Sequence, residues 1–299
     1  MTENLAVIGS GTMGSGIAQL GIMAGLRVSL CDIAPEQLTR AATAIDLSFE
    51  KLIGKDLLSR TDAERARERL QLFSNVSDAA EGADVVIESV VEILEVKREA
   101  LRQAAESAAP DAILGTNTSQ LSITAIGSAL GADSSRIVGI HFFNPPVLMR
   151  LIELIRGLET SDQTLERAKS FSKSLGKETV VCQKDSPGFL TSRVSAIIRL
   201  ECFKMLEEGV GSAEDIDKAL CLGLNFPMGP LALGDFNGLD TYLHILESLS
   251  ETLGERFRPP MTLRNLVSAG RLGRKSGRGV YTYEDVADAA QRDKSDVPR

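Results

Sequence analysis

The hydrophobic positions in the first half of the chain fall in short runs, separated by turn residues and longer amphipathic stretches. NLAVIG at 4–9 reads as a buried strand. The glycine-rich GSGTMG follows it, and an apolar helical stretch, GSGIAQLGIMAG, comes next. RVSLCD at 27–32 is a second strand and ends in an acid. Strand, glycine turn, helix and strand make the βαβ pattern. Residues 36–72 alternate apolar and charged positions at helical spacing, which predicts a pair of long helices. ADVVIES at 83–89 is a third buried strand, 93–108 a helix, and AILGTNTS a strand that runs into a polar turn. IVGIHFF, LIELIRG and TVVCQ supply three more strands, with a helix at 162–175 between the last two.

The pattern changes at Asp185-Ser186-Pro187-Gly188, where a Pro-Gly pair breaks whatever precedes it. Beyond it the spacing is helical, over 190–208, 212–223, 232–252 and 260–271, and the short GVYTY is the one later strand expected. This predicts an α/β domain over residues 1–184 and an all-α domain over 185–299, whose polar tail from Asp285 is expected to fray. No internal repeat is visible.

Composition narrows the function classes. In 299 residues, 43% hydrophobic and 25% charged is a globular balance, which excludes a disordered chain, a collagen or a coiled-coil rod. Aromatics at 4%, no Trp and a net charge of −8 argue against a nucleic-acid partner, which needs stacking faces or local positive charge. The N-terminal sequence has no basic region followed by an apolar one, and there is no apolar run of 18 residues, so neither a signal peptide nor a membrane span is expected. Cys31, Cys182, Cys202 and Cys221 form no C-x-x-C pair or disulfide framework, which points to a reducing, cytoplasmic compartment. With only His141 and His244, a histidine-based metal site is hard to build, and none is expected.

Gly9-Ser10-Gly11-Thr12-Met13-Gly14 follows a strand and opens a helix, the context a G-x-G-x-x-G needs to bind a dinucleotide. The first glycine permits the tight turn, the second lets the backbone approach a pyrophosphate, and the third lets helix and strand pack closely. The helix N-terminus offers its N–H groups to the phosphates. Asp32 ends the second strand, where a carboxylate binds ribose hydroxyls and repels a 2′-phosphate, so NAD is favoured over NADP. The first domain therefore reads as Rossmann-type. The bland alternative is a glycine-rich turn with a surface Asp.

His244 sits at an amphipathic helix position and reads as structural. His141 ends a strand in an α/β domain, where ligands bind. Glu153, twelve residues on, lies inside an apolar strand, where an acid is costly unless paired. A His–Glu pair would orient the imidazole and stabilise its cationic form for acid–base work. The spacing equally fits an unrelated surface His and a strand-edge Glu. Thr116-Asn117-Thr118-Ser119 is a polar cluster past a strand, with Thr118 or Ser119 also placed to cap a helix, and Asn144 fits a turn residue before two prolines.

Taken together, VIGSGTMGSGIA, GTNTSQLSIT, GIHFFNPP, LIELIRG, KDSPGF, PMGPLALGDFNGLDT and GRKSGRGVY resemble the L-3-hydroxyacyl-CoA dehydrogenases, in order and spacing, from residue 5 to 283. The resemblance implies an enzyme that binds NAD and an acyl-CoA substrate and oxidises (S)-3-hydroxyacyl-CoA to 3-oxoacyl-CoA. It implies His141 as catalytic base, Glu153 as its partner and Ser119 as the hydroxyl on the reacting oxygen. Gly9, Gly11, Thr12, Met13, Gly14, Asp32, Glu92, Lys97, Asn117, Asn144 and Lys275 would face the cofactor, and Ser48 and Lys55 the CoA portion. The helical domain is expected to complete the cleft and to form a homodimer. Family members commonly read P-G-F-x-x-N-R after the junction, whereas this chain has Ser192 in place of that Asn. Serine keeps one donor but is shorter, so a direct substrate contact there is the point at which the chain departs from its family. Two rival readings are a same-fold dehydrogenase of a free hydroxy acid, like gulonate dehydrogenase and lambda-crystallin, and a non-catalytic NAD-binding protein. HFFNPP and NTSQL speak against the first, and Ser119, His141 and Glu153 together against the second.

Overall fold

The structure is a computed structural model and describes residues 4–283. It divides between Phe189 and Leu190 into two compact units.

The first unit is built on an eight-stranded sheet: β1 (Asn4–Ile8), β2 (Arg27–Cys31), β3 (Leu70–Phe73), β4 (Val85–Glu88), β5 (Ile113–Thr116), β6 (Ile137–Phe142), β7 (Leu151–Ile155) and β8 (Glu178–Cys182). Their order across the sheet is β3-β2-β1-β4-β5-β6-β7-β8. Strands β1 to β6 pair in parallel, β7 runs antiparallel to β6, and β8 is parallel to β7. The connecting helices are α1 (Thr12–Met23), α2 (Pro35–Ile53), α3 (Arg60–Arg67), α4 (Val76–Ala80), α5 (Leu94–Ser107), α6 (Ile123–Gly127) and α7 (Asp162–Ser174).

The two-residue period of the strands sorts the apolar side chains onto two faces. Leu5, Val7, Val28, Leu30, Val85 and Ile87 share a core with the apolar faces of α1, α2 and α7. Ala6, Ile8, Val86 and Leu114 share the other with α4, α5 and α6. Helix α2 shows why these helices form: Pro35 occupies its first turn, and Leu38, Ala41, Ile45 and Phe49 recur at helical spacing as its buried stripe.

In the second unit, α8 (Thr191–Glu208), α9 (Ala213–Leu224), α10 (Pro230–Asn237), α11 (Leu239–Leu253) and α12 (Met261–Ser268) pack around Leu200, Phe203, Leu231, Tyr242 and Leu246. Two buried aspartates organise it. Asp217 of α9 accepts the Leu231 and Ala232 amides at 2.9 Å each and so caps the start of α10 from a neighbouring helix. Asp235 of α10 accepts the Val280 and Tyr281 amides, 2.9 Å each, which pins the chain's last described segment.

Four expectations need correction. Only 35–53 and 60–67 are helical within 36–72, and Leu70–Phe73 is instead edge strand β3, too short for its alternation to interrupt a helical pattern. The helix expected over 232–252 breaks at Gly238, whose φ of 97° no ordinary helix residue adopts. The last helix ends at Ser268 rather than 271. GVYTY contributes only Thr282 to an isolated bridge, because Asp235 takes the amides of Val280 and Tyr281. The tail from Asp285 lies outside the described residues. No helix among the described residues is long and apolar enough to cross a membrane.

Lys177, between α7 and β8, is buried and ion-pairs with no carboxylate among the described residues. Its Nζ donates to the carbonyls of Pro146, Val147 and Met149 at 2.7, 3.3 and 2.7 Å. Those carbonyls lie in the β6–β7 connection, and a Cβ on Gly16 of α1 would meet Pro146 Cδ at 2.8 Å. Lysine 177 therefore clamps a loop that leans on α1. Lys177→Met should leave the carbonyls without donors and cost about 1–3 kcal/mol, read as a lower urea midpoint and a lower Tm.

Candidate active site

The strand order reverses between β1 and β4, and the carboxyl ends of parallel strands at such a switch point are where ligands bind in open α/β sheets. Gly9 follows β1 there, with a φ of 101°, and a Cβ on it would approach the Ser89 carbonyl oxygen to 2.5 Å. A Cβ on Gly14 would collide with the Gly9 carbonyl, whereas one on Gly11 meets nothing within 4 Å. Helix α1 has Gly11 at its N-cap, with no side-chain cap and no acid in its first turn. Its amides and positive dipole end are thus available to a pyrophosphate, which this cradle fits.

Half-buried Asp32 follows β2 and belongs to the same turn. Its Oδ2 accepts the Ser10 amide (2.9 Å) and hydroxyl (2.8 Å), and its Oδ1 accepts the Ala34 amide at 3.1 Å. Asp32 thereby joins the glycine turn to the end of β2.

The next strand ends are tied by charge. Glu88, fully buried at the end of β4, accepts from Lys97 Nζ at 2.9 Å, the Thr116 hydroxyl at 2.7 Å and the Val90 amide at 2.7 Å. Burial raises its carboxyl pKa, against the pull of Lys97. Lys97 of α5 is itself buried and donates to the Val90 carbonyl at 3.3 Å and pairs with Glu92 at 3.1 Å. Its ammonium is therefore engaged within the protein. Glu92 accepts the Thr118 hydroxyl and, at 3.2 Å, the Ser119 amide, so it fixes the turn carrying Ser119. Desolvation acts to raise its pKa, but Lys97 and Thr118 outweigh that and hold it below the usual value. Thr118 Oγ1 accepts the Leu121 amide at 2.9 Å, and the cap of α6 is Ser122 rather than Thr118 or Ser119.

Asn117 follows β5 and bridges to β6: its Oδ1 accepts the Phe142 amide at 2.9 Å, and its Nδ2 donates to Ser89 Oγ at 3.3 Å. On β6, His141 faces Glu153 of β7 directly across the antiparallel ladder. His141 Nδ1 and Glu153 Oε2 are 2.9 Å apart, with the carboxylate fully buried and the imidazole nearly so. Phe143 and Phe189 stand against the ring, with centroids at 4.7 and 5.8 Å. With Nδ1 held, Nε2 is the nitrogen left to exchange a proton.

The first unit thus brings Gly9, Gly11, Thr12, Met13, Gly14, Asp32, Glu92, Lys97, Asn117, Ser119 and His141 to one edge of the sheet. Exposed Asn144 sits in the loop clamped by Lys177. Ser48 accepts from Gln19 Nε2 at 2.9 Å, and Lys55 is exposed just beyond α2. Lys275 and Ser192 belong to the second unit, where Lys275 pairs with Asp240 at 2.6 Å and Ser192 lies in the first turn of α8. Glu88 and the aromatic walls of His141 were missed from the sequence. The signal for Glu88 was present in VVIES: the argument applied to Glu153, an acid within an apolar strand, holds there as well.

Residues 4–186 match the family model for the 3-hydroxyacyl-CoA dehydrogenase NAD binding domain, and 188–283 that for the C-terminal domain. The chain belongs to the 3-hydroxyacyl-CoA dehydrogenase family. Its cofactor is NAD. A probable 3-hydroxybutyryl-CoA dehydrogenase of Deinococcus radiodurans is 42% identical over 93% of this chain and 99% of its own length. The 3-hydroxyadipyl-CoA dehydrogenase of Escherichia coli is 40% identical over 96% of this chain and 60% of its own. The solved (S)-3-hydroxybutyryl-CoA dehydrogenase of Ralstonia eutropha superposes with a TM-score of 0.91 at 39% identity, covering 95% of this chain and 100% of that one.

Because the Glu92 pKa is lowered on folding, its contribution should be complete above the ordinary carboxylate value of 4.5 and lost as pH falls below it. The stability difference between the native protein and Glu92→Gln, from urea unfolding, should be largest above the ordinary carboxylate value of 4.5 and shrink steadily as the pH is lowered beneath it.

Proposed function

We propose that the chain catalyses the reversible oxidation of (S)-3-hydroxyacyl-CoA to 3-oxoacyl-CoA with NAD, using His141 and Glu153 as the general base pair. The buried pair facing across β6 and β7 carries the reading. His141 Nε2 takes the hydroxyl proton while C3 becomes a carbonyl. With NAD bound, its nicotinamide accepts the hydride that leaves C3. Glu153 holds the proton on Nδ1, so that Nε2 is the basic nitrogen, and its charge stabilises the imidazolium that forms. In the reverse direction the same imidazolium returns the proton. Phe143 and Phe189 keep water from the ring, which strengthens that charge interaction.

Ser119, its backbone fixed by Glu92, orients the reacting oxygen. Asp32 binds the adenosine ribose, with the Ser10 hydroxyl exchanging for a ribose hydroxyl. Asn117 and Asn144 face the nicotinamide side. Glu92 reaches the cofactor, and Lys97, whose donors are engaged inside the protein, sets Glu92. Lys275 serves the cofactor and Ser48 and Lys55 the CoA portion. Ser192 contacts the substrate, and the second unit mediates a homodimer.

Reduction of acetoacetyl-CoA, followed by loss of NADH absorbance, tests the activity, and no turnover by folded protein on this or on longer 3-hydroxyacyl-CoA thioesters refutes it. His141→Ala should lower kcat by about 10²–10⁴-fold while leaving NADH binding near normal. Glu153→Gln should also be slow, because a neutral amide stabilises imidazolium less. A near-normal rate of hydride transfer in either variant under single-turnover conditions refutes the pair.

The protein should prefer NADH to NADPH, and Asp32→Ala should erode the preference, measured as the ratio of kcat/KM for the two. Equal use of both by the native protein refutes the role of Asp32.

A further inference from the structure

Arg199 of α8 is buried, at 6% exposure, without an anion. Its guanidinium carbon lies 4.5 Å from the centroid of the Tyr242 ring, its Nη2 donates to Ser195 Oγ at 3.2 Å, and its Nε has no hydrogen-bond partner. Among the described residues no carboxylate pairs with it. The aromatic face offsets part of the cost of burial, but it meets the guanidinium along its normal and leaves the in-plane Nε–H unmatched. Arg199 also lines a groove of about 450 Å³ in the second unit, whose other walls include Leu190, Val194, Ile198, Phe226 and Leu233. A desolvated guanidinium in the wall of an apolar groove suits an apolar chain that ends in a carboxylate, which takes two parallel charge-assisted hydrogen bonds.

The helix sets the direction. Ser192, Ser195 and Arg199 stand at i, i+3 and i+7, on one face of α8. Long helical side chains lean toward the N-terminus, and the bond to Ser195 shows that Arg199 has turned back one turn toward Ser192. The guanidinium is thereby brought to the level of Ser195, about 4.5 Å along the axis from that of Ser192. An acyl chain meeting Ser192 near its reacting carbon and running along this face reaches Arg199 a few carbons later. A four-carbon acyl group has nothing to offer there.

We propose that Arg199 determines acyl specificity by binding the terminal carboxylate of a dicarboxylic 3-hydroxyacyl group. The inference rests on the reading above, that the chain oxidises 3-hydroxyacyl-CoA with Ser192 near the substrate.

The test compares 3-hydroxyadipyl-CoA with 3-hydroxyhexanoyl-CoA, equal in length and differing in a terminal carboxylate or methyl. The native protein should favour the first in kcat/KM. Arg199→Met should lower kcat/KM for the first by about 10–100-fold, mainly through KM, and leave the second within about twofold. Arg199→Lys should fall between. Absence of a native preference, or an equal loss on both substrates, overturns the proposal. An equal loss accompanied by dissociation in sedimentation reassigns the guanidinium to a contact between copies. A second readout does not depend on turnover: adipyl-CoA should raise Tm more than hexanoyl-CoA in the native protein and in Arg199→Lys, and no more than hexanoyl-CoA in Arg199→Met. Failure on both thioesters and on acetoacetyl-CoA refutes the parent activity, whereas reduction of acetoacetyl-CoA without the carboxylate preference refutes only the role of Arg199.

Discussion

The antiparallel register of β7 on β6 is the constraint on which the rest of the site depends. Glu153 is fully buried, and an ionised carboxylate in such a place persists only when it is paired and hydrogen-bonded. The ladder sets it directly opposite His141. A slip of one residue would turn Glu153 to the other face of the sheet and put an apolar neighbour opposite the imidazole. Two features hold the register. Strand β8 pairs with the far edge of β7, placing Val180 beside Glu153. Lys177, just before β8, ties the β6–β7 connection through three carbonyls. The residues that hold the pair in register therefore lie well beyond it in sequence.

Around that pair, the parallel strand ends are joined by side chains. Asn117 links β5 to the β6 backbone beside His141, Glu88 joins β4 to β5 through Thr116, and Asp32 joins the glycine turn to β2. Lys97 lies between Glu88 and Glu92, and the second of these fixes the Ser119 turn. Glu88, Lys97 and Glu92 thus form one hydrogen-bonded chain from the end of β4 to the turn carrying Ser119. The two carboxylates differ in environment: Glu88 is enclosed and its pKa is raised, whereas Glu92 is partly solvated and its pKa is lowered. Glu92 is the one that keeps its charge most readily.

Legibility in the sequence followed the range of the signal. The glycine turn, Asp32 and the strand ends were readable because each is encoded within a few residues. The pairing of His141 with Glu153 was left open by the spacing, because twelve residues fit a hairpin or two unrelated positions equally well. Strand β3 was lost inside a helical pattern, since four residues at a sheet edge carry too little alternation. The break at Gly238 was lost because apolar spacing continues through it. Lys177 was unreadable for a different reason: its role exists only once the carbonyls of the β6–β7 connection have been brought to it by the fold.

Burial of charge is otherwise handled consistently among the described residues. Glu88 has Lys97, Glu153 has His141, Lys177 has three carbonyls, and Asp217 and Asp235 each have two amides and a tyrosine hydroxyl, Tyr281 for the first and Tyr283 for the second. Each of these groups was taken from water and given polar partners suited to its charge, as buried charges require. Arg199 departs from the pattern, with one weak hydroxyl contact and an aromatic face. An arginine cannot shed its proton to escape the cost, as a lysine or a carboxylate can. The same residue stands in the wall of an apolar groove, so the group that meets it there decides whether its burial is a cost or a device for recognition.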